Sequence, residues 1–317
     1  MDKRIYFIEP ILEERIWGGQ RLKEKYRIQT DLKNIAEIYT VIAIPGHLDC
    51  DVRGTGRKLS EFYHLHPELF GSETPDMPVR MIVGNSADRL SIQLHPDDEY
   101  GLLHSGMRGK PEGCVFFEGE GEGSMVFGHY ARTKEEFIHL SRTGQWDKLL
   151  KYVPIRKDSF VHIPYGTLHA FGAGGLCAAF STNGDVTYRL YDYDRVDQAT
   201  GKPRQLHVQE VYDNITVPDA DREAVRVEPF QKDGCEICLY HDEPGCYTGG
   251  RLIVRGQGTY RQDEFLFMTC INGRGTIDGV PVGELDTVFL PQDYGAIGIQ
   301  GDLDLVFVSY RNKSSRR

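Results

Sequence analysis

Asp158-Ser159-Phe160-Val161-His162-Ile163-Pro164-Tyr165-Gly166 has a counterpart late in the chain, Asp286-Thr287-Val288-Phe289-Leu290-Pro291-Gln292-Asp293-Tyr294-Gly295. Each reads as a turn, an apolar strand and a Pro/Gly corner, so the chain holds two similar β modules. Outward from this pair, short apolar or alternating runs recur at Val79 to Val83, Cys114 to Glu118, Arg251 to Arg255, Glu264 to Ile271 and Leu303 to Tyr310. Such runs, broken by Gly, Pro and Asp, predict packed antiparallel sheets and a mainly β fold with a few short helices. Helical signals are local. Thr133-Lys134-Glu135-Glu136 is a capping box leading into Phe137, Ile138 and Leu140; a second helical stretch is expected over Trp146 to Val153, and a shorter helix from Ser60 through Leu65. The charged stretch Pro218 to Glu223 marks the expected boundary. It divides a metal-binding module over 1–225, with a helical insertion near 133–153, from a module over 226–317 without metal, because the later copy lacks the histidine that follows the first.

At 317 residues the chain can bury a substantial core, and size sets no limit on an enzyme. Its formal charge of −10 argues against a nucleic-acid partner, although local cations could still hold a small anion. The amino-terminal apolar stretch is too short for a signal segment and no later run approaches membrane-spanning length, so no membrane partner and a cytoplasmic location are expected. Seven scattered cysteines read as reduced thiols. The lone Cys235-Glu236-Ile237-Cys238 pair lacks a second pair nearby and sits where the pattern reads as strand, which argues against a metal knuckle.

The chemistry concentrates in three places. In Ser91-Ile92-Gln93-Leu94-His95-Pro96-Asp97-Asp98 the strand period puts Ser91, Gln93 and His95 on one face and Ile92 and Leu94 on the other. Pro96, with no N–H to donate, ends the ladder. Gly109-Lys110-Pro111-Glu112 then presents Lys110 and Glu112 at a strand entrance, and Pro164-Tyr165-Gly166-Thr167-Leu168-His169 turns a corner onto a histidine. A single strand histidine is more often an ordinary hydrogen-bonded residue than a ligand. Taken together, Gln93, His95, Glu112 and His169 form an N/O donor set suited to one zinc ion per chain.

These motifs resemble those of the type I mannose-6-phosphate isomerase family in its short bacterial form. The resemblance runs from Glu9-Pro10 and Ile16-Trp17-Gly18-Gly19 through Asp88 to Tyr100, Gly109 to Glu112, Pro164 to His169, Asp185 to Arg195 and Gly201 to His207. It implies two cupin-like (jelly-roll) modules and zinc-dependent interconversion of mannose 6-phosphate and fructose 6-phosphate, or of a related small-molecule sugar phosphate, through a cis-enediol. It also implies Gln93, His95, Glu112 and His169 as metal ligands, Arg189 and Lys110 as catalytic residues, and Ser91, Trp17, Asp185 and Arg195 as substrate-binding ones. Lys110, Arg189 and Arg195 are expected to line one pocket.

The chain departs from the family pattern at three positions. Ala36-Glu37-Ile38-Tyr39-Thr40 stands where the family has Gly-Glu-Ser-Trp-Glu, so a second acid becomes Thr40; Ile82 stands for a pocket lysine, and Ala179 for a pocket carboxylate. Loss of a positioned base can cost orders of magnitude in rate. These departures leave open a non-catalytic metal-binding homologue acting as a carbohydrate sensor or regulatory protein. A different metal-dependent reaction, such as an oxygenase, would favour iron and open coordination positions.

Overall fold

The chain folds as a mainly β protein, 47% strand and 14% helix. The computed structural model describes residues 4–119, 123–197 and 200–314, so the first three residues of the amino-terminal stretch lie outside it. Three large antiparallel sheets of ten, seven and five strands organise the molecule. The seven-stranded sheet runs Val225–Arg226, Ser159–Ile163, Glu112–Gly119, Gly175–Thr182, Val79–Ser86, Ile35–Val41, Ile11–Gly19. It lies between the other two. Val79, Met81, Val83 and Phe180 pack on one side with Phe265, Phe267, Phe289 and Val306 of the ten-stranded sheet. Cys114, Phe116, Val161 and Ile163 meet Met125, Phe127, Val153 and Ile155 of the five-stranded sheet on the other. Every residue of Val79–Ser86 is buried; Val79, Met81 and Val83 pack in the core on one face, while Arg80 and Ile82 turn to the other. Each fully buried phenylalanine of the first core contributes about 1.5–3 kcal/mol.

Helices cover the outer side of the five-stranded sheet, where Phe137, Leu140, Leu149, Val211 and Tyr212 pack on Ile92 and Leu94. The Lys134–Arg142 helix begins as its capping box predicts, with the Thr133 side chain accepting from the Glu136 N–H. The next element corrects the expectation. The Trp146–Leu149 helix is a single turn, and Leu150–Ile155 is a strand paired with Gly123–His129. Pro154 explains this, since the residue before a proline is driven out of the α region. Cys235 and Cys238 lie three apart on the Cys235–Asp242 strand and so point to opposite faces, which rules out a shared knuckle. All seven cysteines are free.

Chain order and sheet membership interleave. Tyr6–Glu9 pairs with Thr287–Leu290 in the ten-stranded sheet, whereas Val225–Arg226 pairs with Ser159–Ile163 in the seven-stranded one. The two echoed strands therefore sit in different sheets.

Candidate metal centre and active site

Gln93 and His169 are direct cross-strand partners in the five-stranded sheet, and Gln93 also pairs with Arg189. Glu112 faces them from the end of its strand in the central sheet. Gly109 makes this approach possible, because a Cβ there would lie 2.2 Å from the Pro96 carbonyl oxygen. His95, Glu112 and His169 are all buried, and Glu112 Oε1 lies 3.5 Å from His95 Nε2 and 3.4 Å from His169 Nε2. Two donors each about 2.1 Å from a tetrahedral ion are separated by about 3.4 Å, so the spacing suits a metal.

The outer ring nitrogens settle which atoms face the centre. His95 Nδ1 is 2.7 Å from the Val186 carbonyl oxygen and His169 Nδ1 is 2.9 Å from that of Thr167; as neither carbonyl can donate, each Nδ1 carries the proton and each Nε2 keeps its lone pair. Both Nε2 atoms are buried without a hydrogen-bond partner, a costly state in a protein interior unless a further group is held there. Burial pushes His95 down to about 3, with Lys110 adding to the effect, so the ring stays neutral as a ligand must be. Burial alone would raise Glu112, but Lys110, with Nζ 3.1 Å from Oε2, and the two histidines hold it well below the usual carboxylate range. Ser91, buried beneath, donates to Gln93 Oε1 at 3.0 Å and orients the amide rather than lining the cavity.

A cavity of about 130 Å³ opens beside this cluster. Trp17, Gln93, Lys110, Glu112, Asp185 and Arg189 line it, and so do Ile82 and Ala179. Arg195 does not. Its guanidinium donates to Asp192 Oδ1 at 2.6 Å, to the Arg89 carbonyl at 2.6 Å and to Asp88 Oδ2 at 3.0 Å, which draws it into a neighbouring groove. The expectation of a Lys110, Arg189 and Arg195 cluster is corrected accordingly: the cations lining the cavity beside Lys110 and Arg189 are Arg15, Arg80 and Arg204. Thr40 is likewise no pocket position, since it is fully buried and its hydroxyl donates to the Met81 carbonyl.

Glu37, Tyr39 and Arg80 went unassigned in the sequence, although strand alternation carried the signal. Glu37 and Tyr39 share one face of Ile35–Val41, and Arg80 shares a face with Ile82 on Val79–Ser86. The sheet register carries this face across, Tyr39 opposite Ile82 and Ile82 opposite Ala179. Burial raises the Glu37 carboxyl, against the pull of Arg15, whose Nε lies 3.2 Å away. Arg189 is lowered by burial and by Arg204, and its Nε is buried without a partner, so this corner of the cavity favours an anion.

Asp185 is held from two sides, by Arg80 NH1 at 2.6 Å and by His47 Nε2 at 2.9 Å. The hydrogen bond to Asp185 raises His47 above its ordinary value, with Arg15 opposing and Glu13 assisting. A raised histidine contributes stability that is fully present below its unfolded pKa of about 6.5 and is lost as pH climbs through the folded value. Melting temperatures of wild type and His47→Gln should therefore differ most below about pH 6.5 and converge as pH rises past the folded value. A gap independent of pH would show that the contact is not ionic.

No family model matches the chain. The chain is 35% identical over 312 residues to a probable mannose-6-phosphate isomerase of Bacillus subtilis strain 168, covering 95% of this chain and 97% of that one. It is 33% identical to a second mannose-6-phosphate isomerase of the same organism, covering 93% and 95%. A crystal structure of a Bacillus subtilis mannose 6-phosphate isomerase superposes with a TM-score of 0.90 at 28% identity, covering 96% of this chain and 99% of that one. A zinc-bound mannose 6-phosphate isomerase shares the fold at a TM-score of 0.77 and 13% identity, covering 97% and 99%. With end-to-end likeness of this degree, and with its buried histidines and carboxylate beside a cation-lined cavity, the chain belongs to the type I mannose-6-phosphate isomerase family.

Proposed function

We propose that this protein interconverts mannose 6-phosphate and fructose 6-phosphate with a zinc ion held by Gln93, His95, Glu112 and His169. The observation that carries the reading is the pair of partnerless Nε2 atoms facing Glu112 Oε1 at the edge of the cavity. When bound, zinc supplies electrophilic stabilisation of the negative charge that develops on the sugar oxygens. The residues of the chain do the rest. Arg189, with Arg204 beside it, offers the unsatisfied guanidinium that the substrate's anionic group requires. Lys110 neutralises Glu112 and keeps it in place. Trp17 and Asp185 bound the space in which the sugar turns.

Isomerisation takes a proton from C2 of the aldose and returns one to C1, so a single base serves both carbons. Of the three carboxylates lining the cavity, Glu112 is committed to the metal cluster and Asp185 to Arg80 and His47. Glu37 is the remaining one, with its contacts, Arg15 Nε at 3.2 Å and the Tyr39 hydroxyl at 3.1 Å, both on Oε2. Burial raises its pKa, the direction that makes a carboxylate a stronger base. Its presence answers the concern raised by Ala179: the pocket has lost one carboxylate, yet it keeps another on the adjoining part of the same sheet face.

The direct test is a coupled assay with mannose 6-phosphate, in which wild type should turn over. His169→Ala should lose one equivalent of metal and its activity, because removal of one imidazole leaves only three protein donors, one of them a neutral amide. Full turnover by metal-stripped protein would sink the zinc reading, and a stable fold with metal but no turnover would sink the substrate.

A further inference from the structure

Asp192 follows the Tyr188–Tyr191 strand and is buried, yet its carboxylate carries two guanidiniums. Arg204 forks onto it, with Nε to Oδ2 at 2.8 Å and NH2 to Oδ1 at 2.7 Å, and Arg195 NH2 meets Oδ1 at 2.6 Å. The two arginines then part. Arg195 turns into the neighbouring groove, where it has Asp88 as a second carboxylate. Arg204 lines the catalytic cavity, and among the described residues Asp192 is its one carboxylate partner. We propose, resting on the sugar-phosphate reading of the cavity, that Asp192 is a positioning residue: it aims Arg204 into the cavity, so that Arg204 and Arg189 together grip the phosphate of the substrate.

The other cations lining the cavity are already engaged. Arg15 is committed to Glu13 and Glu37, Arg80 to Asp185, and Lys110 to Glu112. Arg189 and Arg204 differ. Arg189 Nε is buried without a partner, and Arg204 spends Nε and NH2 on Asp192, which leaves NH1 for an incoming anion. Burial lowers Arg189 and Arg204 lowers it further, so the two guanidiniums stand near each other as like charges. A phosphate dianion relieves that repulsion, and its oxygens match the planar donors of both groups. The backbone alone does not fix where Arg204 points. It follows Lys202–Pro203, a short strand exposed at both residues and held in a sheet of two strands with Val196–Asp197. A long side chain on such a strap has many rotamers, and the fork onto Asp192 selects one. The ordering cost is then met in the free protein rather than when phosphate binds.

The test reads KM and kcat of the full-length, metal-loaded protein on mannose 6-phosphate, and separately its affinity for inorganic phosphate by calorimetry, which needs no turnover. Asp192→Asn keeps the shape and removes the charge that holds the fork. It should raise KM and weaken phosphate binding by about tenfold or more, with kcat within about threefold of wild type and metal content unchanged. Arg204→Gln should do the same, and the double variant should be no worse than Arg204→Gln alone, because Asp192 acts through that side chain. Arg195→Gln removes the other partner of Asp192 and leaves the cavity lining intact, so KM should stay within about twofold of wild type. Additive losses in the double variant, or phosphate affinity unchanged in Asp192→Asn, overturn the proposal. So does an Arg195→Gln variant as impaired as Asp192→Asn, since the strap would then merely have loosened. Phosphate binding that depends on Asp192 and Arg204 in a wild type unable to turn over mannose 6-phosphate supports the clamp and sinks the isomerase reading instead.

Discussion

Glu37→Gln should lower turnover of mannose 6-phosphate by about 10²- to 10⁴-fold, the usual contribution of a positioned general base. The substitution keeps size and shape, and a glutamine oxygen can still accept the hydroxyl of Tyr39, which donates to Glu37 Oε2 at 3.1 Å. What it removes is the group that accepts a proton. Metal content should not change, since Glu37 is no member of the cluster of His95, Glu112 and His169. The loss should fall on kcat with KM little altered, because the proton moves only in the transition state. Incorporation of solvent deuterium into the product should fall with it. If the variant stays within about threefold of wild type, the proton travels by another group and the assignment fails.

The candidate metal centre was legible in the sequence because its signals are local. Gln93 and His95 share a strand face by simple alternation, and His169 follows a Pro/Gly corner that delivers it to the same sheet. The cavity walls depended on longer-range facts. Arg195 follows Arg189 closely in sequence, yet its direction is set by Asp88 and Asp192, and no spacing rule foretells that pairing. Arg80 could have been found by stepping two residues back from Ile82 along the same strand face. Thr40 would have been set aside by the same count from Tyr39. The layering was the least accessible part: pairing of Tyr6–Glu9 with Thr287–Leu290 joins opposite ends of the chain, and local periodicity says nothing of which distant strands meet.

Arg251→Ala should cost about 3–5 kcal/mol of folding free energy, a large part of the roughly 5–15 kcal/mol that holds a typical domain together. Arg251 forks onto Asp304, with Nε to Oδ1 at 2.7 Å and NH2 to Oδ2 at 2.6 Å, on adjacent strands of the ten-stranded sheet. Its NH1 reaches Asp158 Oδ1 at 2.8 Å, and Asp158 lies on the turn leading into the Ser159–Ile163 strand of the central sheet. One guanidinium thus bridges the two sheets on which the core depends. Truncation leaves Asp304, nearly buried, without its cation, and the cost is that of an uncompensated charge rather than of a lost attraction. The double variant separates the two contributions. Arg251→Met with Asp304→Leu removes both charges and fills the space with apolar atoms, so it should recover most of the loss, while Asp158, 30% exposed at its side chain, turns to water. Denaturant unfolding of the two variants decides the matter. Equal destabilisation in both would mean that the bridge acts through its attraction, and a loss below about 1 kcal/mol in Arg251→Ala would mean that the sheets are held by their aromatic core alone.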